Sequence, residues 1–133
     1  MAASPIYFTT PGNAQAQVSA ANASVATATT VTSIVAGTAS GRRISRVRAA
    51  HAIDTAPAAQ KVSFWLSTDN GVTKRFLCDV LLAAASAPAA GVRAGYAEVP
   101  ELVGLVMQST NTILYASVWA AQAVNISAEY NDA

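Results

Sequence analysis

Over residues 62–82 the chain alternates residue by residue, and this period of two constrains the fold more than any other feature. Val62, Phe64 and Leu66 take turns with Ser63, Trp65 and Ser67, and after Asp69-Asn70-Gly71 the apolar set resumes at Phe76, Cys78, Val80 and Leu82. Successive side chains of a strand point to opposite faces, so each run has one buried face. Two such runs about an Asp-Asn-Gly turn predict a β-hairpin. A two-residue loop would set Leu66 against Arg75 and Val62 against Asp79. A three-residue loop with a left-handed Gly71 sets Phe64 against Phe76 and Val62 against Cys78, like against like, and is the expected register. It also sets Trp65 opposite Arg75, at cation–π distance.

The same reading extends along the chain. Residues 27–36 are rich in Thr, Val and Ile, whose branched β-carbons suit strands, and Gly37 and Gly41 bracket a turn. Residues 44–50 form the next strand, with Val47 and Ala49 on one face and Arg46 and Arg48 on the other. Ile44 has the wrong parity for Val47, which predicts a bulge or a strand start between them. Residues 83–95 are an Ala/Pro/Gly/Ser connection, and 100–106 hold a short strand or loop. A final pair spans 112–118 and 124–130. In its second member Val124, Ile126, Ala128 and Tyr130 alternate with Asn125, Ser127, Glu129 and Asn131. Its first member is apolar on both faces, Leu114, Ala116 and Val118 against Ile113, Tyr115 and Trp119. Such a strand is either central and covered on both sides or turns one face to a partner. Short strands with no amphipathic helix predict an all-β fold, a single-domain β-sandwich in the form of an eight-stranded jelly roll over residues 21–133. Residues 1–20 precede it as an extended N-terminal arm. Residues 1–41 contain no Asp, Glu, Lys or Arg, and the arm carries an apolar triplet, Ile6, Tyr7 and Phe8, that is expected to dock on a partner.

Composition narrows the function. Charged residues make up 11%, against about 25% in average domains, and 31 alanines add to a neutral surface suited to packing in an assembly. A net charge of +1 argues against nucleic acid as a partner. No run approaches the ~20 apolar residues of a membrane span, and Met-Ala-Ala-Ser-Pro lacks the pattern of a secretory leader. Cys78 is the single cysteine, so neither an intrachain disulfide nor a multi-cysteine zinc site is expected. It falls on the apolar face as a buried thiol. His51 is the one histidine available as a base for nucleophilic catalysis, and beside Asp54 and Pro57 it reads as an ordinary loop residue. Gly37-Thr38-Ala39-Ser40-Gly41 has its serine one place late for a nucleophile elbow. The acidic residues are scattered, without the spacing of paired-carboxylate hydrolysis or a calcium loop. A non-enzymatic protein is expected, with no catalytic, cofactor-binding or metal residues. What remains are candidate partner contacts. They are the arm triplet; Arg42, Arg43, Arg46 and Arg48, four of the eight basic residues, whose guanidinium groups suit carboxylates; and the aromatics Trp65, Tyr115 and Trp119.

The order of segments adds a resemblance. The run Thr30-Val31-Thr32-Ser33-Ile34-Val35-Ala36-Gly37, then Gly41-Arg42-Arg43-Ile44-Ser45-Arg46-Val47-Arg48-Ala49, then Val62-Ser63-Phe64-Trp65-Leu66 and a turn, resembles small structural proteins of tailed bacteriophages. The closing Leu114-Tyr115-Ala116-Ser117 and Val124-Asn125-Ile126-Ser127-Ala128-Glu129-Tyr130 are similar to that group's last hairpin, although Tyr130-Asn131-Asp132 stands where Gly-Gly-Asp is common. The group is the jelly-roll capsid decoration, or cement, proteins, and the resemblance covers residues 27–130. It implies binding to the outer surface of an assembled head, across junctions of the major capsid protein. The expected partners are that protein and further copies of this chain, as dimer or trimer, with neither nucleic acid nor membrane. The expected location is the virion, after synthesis in the host cytoplasm. A tail or neck component, and a receptor- or carbohydrate-binding head-fibre module using Trp65, Tyr115 and Trp119 as platforms, are the alternatives.

Overall fold

Alternating runs become strands of two antiparallel sheets packed face to face in the computed structural model, which describes residues 7–133. The strands are β1 (Thr10–Val18), β2 (Thr32–Ala36), β3 (Arg42–His51), β4 (Gln60–Ser67), β5 (Arg75–Leu82), β6 (Tyr96–Glu98), β7 (Val106–Met107), β8 (Ile113–Val118) and β9 (Val124–Asp132). One 3₁₀ turn, Pro100–Leu102, separates β6 from β7. The first sheet has the order β1-β9-β3-β6 with β7 also against β3, and the second the order β2-β8-β4-β5. The β-sandwich expected from the alternation is present, with nine strands among the described residues rather than eight. The pairings nest about the β4–β5 hairpin, since β3 pairs with β6, β2 with β8 and β1 with β9. Between the sheets lie Val18, Ile44, Val47, Val62, Phe64, Leu114, Val124 and Ile126, all buried. Each contributes about 1.5–3 kcal/mol. Alanines Ala49, Ala116 and Ala128 are fully buried among them, and Phe64 stands opposite Ala116, large against small.

Parity decides two details, one as expected and one not. The register of β3 against β9 shifts between Ile44 and Arg46, and the exposed Ser45 is the extra residue that lets both Ile44 and Val47 face inward. In the hairpin, however, Phe64 pairs with Cys78 and Val62 with Val80, and Leu66 does stand opposite Arg75. The expected Phe64–Phe76 register is therefore wrong. A register shift after Phe64 makes Leu77 an extra residue on β5, which turns Phe76 to the outward face while Cys78 and Val80 face inward. Trp65 consequently meets Phe76, edge to face at 5.7 Å, and not Arg75. Arg75 lies at the strand end with its head in water, so opposition to Leu66 carries little penalty.

The connection runs over residues 68–74 and is built by side chains. The Ser67 hydroxyl donates to Asp69 Oδ1 at 2.8 Å and accepts from the Gly71 N–H at 2.8 Å, and Asp69 Oδ1 also accepts from the Thr73 N–H at 2.8 Å. The bonds that Asp69 accepts, led by that from the Thr73 N–H and then that from Ser67, hold its carboxyl below its ordinary value. Gly71 takes the expected left-handed backbone at φ 85°, after Asn70 at 59°.

Residues 10–18, within the segment expected as an arm, are extended but paired along their length with β9. Asn13, Gln15 and Gln17 point outward, while Ala14 and Ala16 pack against the core and Val18 is buried in it. Residues 27–31, expected as strand, precede β2. Asn22 ties that stretch to the second sheet: its Oδ1 accepts from the Thr29 hydroxyl at 2.8 Å and its N–H donates to the Val118 carbonyl at 2.7 Å.

A Cβ on Gly71 would stand 2.5 Å from the Tyr115 hydroxyl at a backbone angle that side chains avoid. Gly71→Ala should therefore lower unfolding stability by about 1–2 kcal/mol in urea titration. Gly91→Ala, where a Cβ meets nothing within 4 Å, should be neutral. Equal midpoints for the two variants would contradict this account of the loop.

Candidate partner-binding surfaces

Side chains proposed for partner contact fall into three structural situations. In the arm triplet, Ile6 lies outside the described residues. Tyr7 is 71% exposed, and the half-buried Phe8 packs its ring over Gly41 of its own chain. The Thr9 N–H donates to the Asp132 carbonyl at 3.0 Å, which fixes where this segment leaves the sheet.

The arginines do not act as one patch. Arg42 closes one end of the sandwich: its Nε and Nη2 donate to the two Asp132 oxygens at 2.7 and 3.0 Å, and its Nη1 reaches the Ala36 carbonyl of the other sheet at 2.9 Å. Its guanidinium carbon lies 3.8 Å from the centre of the Tyr130 ring. Tyr130 itself crosses Gly12, where a Cβ would come within 2.8 Å of three ring-system atoms, so β1 needs glycine there. Arg42 hydrogen bonding holds the Asp132 carboxyl below its ordinary value, against a smaller opposing effect of desolvation. Arg46 grips Glu98, with Nε 3.1 Å from both oxygens and Nη2 against Oε1, and this depresses the Glu98 carboxyl in turn. Arg43 is exposed beside Val106 and Asn131. Arg48 shares the Arg46 face, as alternation requires, and lies 6.0 Å from the centre of the Tyr96 ring. Arg93, from the connection before β6, lies 4.5 Å from the same centre. Among the described residues, neither Arg48 nor Arg93 has a carboxylate within ion-pair distance.

The aromatics form a second small cluster on the outward face of the β2-β8-β4-β5 sheet. Ser63 and Ser117 stand opposite each other. The Trp65 indole donates to Ser117 Oγ and the Trp119 indole to Ser63 Oγ, each at 2.9 Å, so the two rings cross-link β4 and β8. Phe76 flanks Trp65, Tyr115 stands opposite it, and the ammonium groups of Lys61 and Lys74 sit 4.3 and 5.1 Å from the Trp119 and Tyr115 rings. Trp65 is left 1% exposed. It is not a stacking platform, and of its proposed companions Tyr115 and Trp119 are half-buried. β8, apolar on both faces, is the central strand covered on both sides.

His51 is also not a loop residue. It ends β3, 7% exposed. Its Nε2 lies 2.9 Å from the Ala83 carbonyl, which can only accept, so Nε2 donates and Nδ1 is free to accept from Gln122 at 3.4 Å. The ring ties the 83–95 connection to the sandwich. Burial, with lesser effects of Glu101 and Asp79, pushes the Cys78 thiol up to about 11, which makes it a poor nucleophile. Two surface features had no sequence signal. One is the edge strand β5, where Leu81 is 71% exposed. The other is an open groove of about 590 Å³ on the outward face of the first sheet, lined by Arg48, Arg93 and Tyr96 among others.

No family model matches this sequence, and no curated protein matches it significantly. Solved structures do give matches. A chain in the acidic stable capsid structure of Helicobacter pylori bacteriophage KHP30 aligns with a TM-score of 0.50 over 94% of this chain and 90% of its own length, at 14% identity. A chain of the cyanophage Pam1 capsid asymmetric unit gives a TM-score of 0.47 over 100% and 92%, at 12% identity. At 14% identity the KHP30 likeness is one of fold, and no residue role is transferred by it.

Two measurements check the division between engaged and free groups. Arg42→Ala should lower stability by about 2 kcal/mol, as expected for a charge-assisted bond to a partly buried partner, whereas Arg46→Ala should leave the thermal midpoint nearly unchanged because its ion pair is solvent-exposed. The Asp132 carboxyl is lower in the folded chain than in the unfolded one, so its contribution is complete above ~3.9 and is lost as pH falls through the folded value. Asp132→Asn should flatten that part of the acid profile. Maleimide labelling of Cys78 at pH 8 should be about a hundredfold slower in the native protein than in urea; equal rates would show the thiol to be open.

Proposed function

We propose that this chain is a non-enzymatic phage virion protein that binds the outer surface of the assembled capsid and stabilises it by bridging major capsid protein subunits. The observation that carries the reading is the fold match, over nine-tenths of both chains, to a chain in the KHP30 capsid structure. Support also comes from the nested strand order, which we take as a jelly roll with β7 added to it. A protein of this kind needs no chemistry. It needs to bind the assembled shell better than the separated subunits, which stabilises the shell by about 2.7 kcal/mol per site at a hundredfold excess over Kd. Bridging and self-association as dimer or trimer multiply the effect through effective concentration. Groups free for such contacts are Tyr7, Arg43, Arg48 and the β5 edge at Leu81. A receptor-binding module reading is weaker because Trp65 is buried and ammonium groups already sit against Trp119 and Tyr115.

Particles stripped of the protein should burst at a lower temperature, and added protein should restore them. Deleting residues 1–7 keeps β1 and the Phe8 packing over Gly41 intact, so the free domain should melt normally while its occupancy on the shell falls. Unchanged melting of stripped particles would overturn the proposal.

A further inference from the structure

On the outward face of the β1-β9-β3-β6 sheet, register alone creates a groove. One row across the sheet reads Gln17, Asn125, Ala50, Tyr96, and the next reads Gln15, Ser127, Arg48, Glu98. The small side chains of Ala50 and Ser127 on the middle strands make the floor. Longer ones make the walls, Gln15 and Gln17 on one side and Arg48, Tyr96 and Arg93 on the other, around about 590 Å³. No carboxylate lines it. Glu98, in the Arg48 row, is held by Arg46. Among the described residues neither guanidinium group that flanks Tyr96 has a carboxylate within ion-pair distance. Glu98, across from Arg48, feels its charge but is hydrogen-bonded by Arg46 instead, so the donors of Arg48 and Arg93 stay unspent. Beside them the Gln17 amide donates to Asn125 Oδ1 at 3.2 Å, which leaves the Asn125 NH₂ to face outward as a further donor.

We propose that this groove is the seat for an acidic side chain, Asp or Glu, on an extended segment of a partner protein, with Arg48 and Arg93 donating to the carboxylate. Guanidinium groups make paired hydrogen bonds to carboxylates, and an anion also relieves the repulsion between two cations held near one ring. The amides of Gln15, Gln17 and Asn125 supply both donors and acceptors, which a peptide backbone can satisfy. Sugar recognition is disfavoured because both guanidinium groups crowd the one aromatic ring, Tyr96. Nucleic acid is disfavoured because two arginines make no track along a phosphate backbone, in a chain of net charge +1. The identity of the partner as a capsid subunit rests on the proposed function; the carboxylate seat itself does not.

The test uses the whole chain titrated with a fluorescent Glu-rich peptide, its Gln counterpart, oligogalacturonate and inorganic phosphate. Saturable binding of the Glu peptide is expected, weakening as salt rises, with at least a tenfold loss for the Gln peptide and for the Arg48→Ala/Arg93→Ala variant. Both heads point outward, so that variant should melt like the wild type; if it does not, Arg93→Glu alone gives the same comparison. No saturable binding of the Glu peptide, equal binding of the Gln peptide, an unaffected double variant, or tighter binding of oligogalacturonate or phosphate would each overturn the inference. Decoration of stripped particles separates it from the proposed function. A double variant that decorates as well as wild type removes the groove and keeps the decoration reading. A wild-type protein that fails to decorate removes that reading, while the peptide titration still judges the groove.

Discussion

Two neighbouring strands, β4 and β8, lie side by side with side chains packed over both faces, and the rest of the molecule is arranged around that fact. Inward, Val62 and Phe64 oppose Val118 and Ala116 between the sheets; outward, Ser63 and Trp65 oppose Ser117 and Tyr115. A ladder covered on both sides is strong, but its buried hydroxyls must find partners. The two indole N–H groups supply them, each reaching from one strand to the serine of the other. The outward cluster in turn needs its own cover. Phe76 reaches it only because β5 bulges at Leu77, and the 68–74 loop brings Gly71 against the Tyr115 hydroxyl and Lys74 over its ring.

This dependence explains what could be read in advance. Alternation marked the cores of β3, β4, β5, β8 and β9, and the parity conflict between Ile44 and Val47 located a bulge. The bulge in β5 left no comparable sign, because Leu77 is apolar and suits either face. β1 was concealed by side-chain size. Asn13, Gln15 and Gln17 do alternate with Ala14, Ala16 and Val18, but alanine is too small to announce a buried phase. Trp65 was misjudged because its serine neighbours made that face look solvated, although a tryptophan there was the sign of a second apolar layer.

The surfaces were less legible than the fold for a related reason. A cluster such as Arg42, Arg43, Arg46 and Arg48 is visible in sequence, whereas the groups that neutralise it are not. Asp132 lies 90 positions from Arg42, and Glu98 lies 52 from Arg46. Only the sheet order brings them together, and it divides one apparent basic patch into a clamp, a surface ion pair and a remainder. That remainder acquires its companion, Arg93, from a connection whose composition gave no reason to single it out.

The pairing of β1 with β9 has a mechanical consequence. The two strands run antiparallel through nine opposed pairs from Thr10–Asp132 to Val18–Val124, so the backbone at residue 10 and at residue 132 departs from the same end of the ladder. A tension applied between those two points does not shear the rungs together. It opens them in sequence, as a zipper, and the force needed is that of one rung at a time. Pulled in that direction the sandwich yields from its first strand inward, long before the doubly covered centre carries any load.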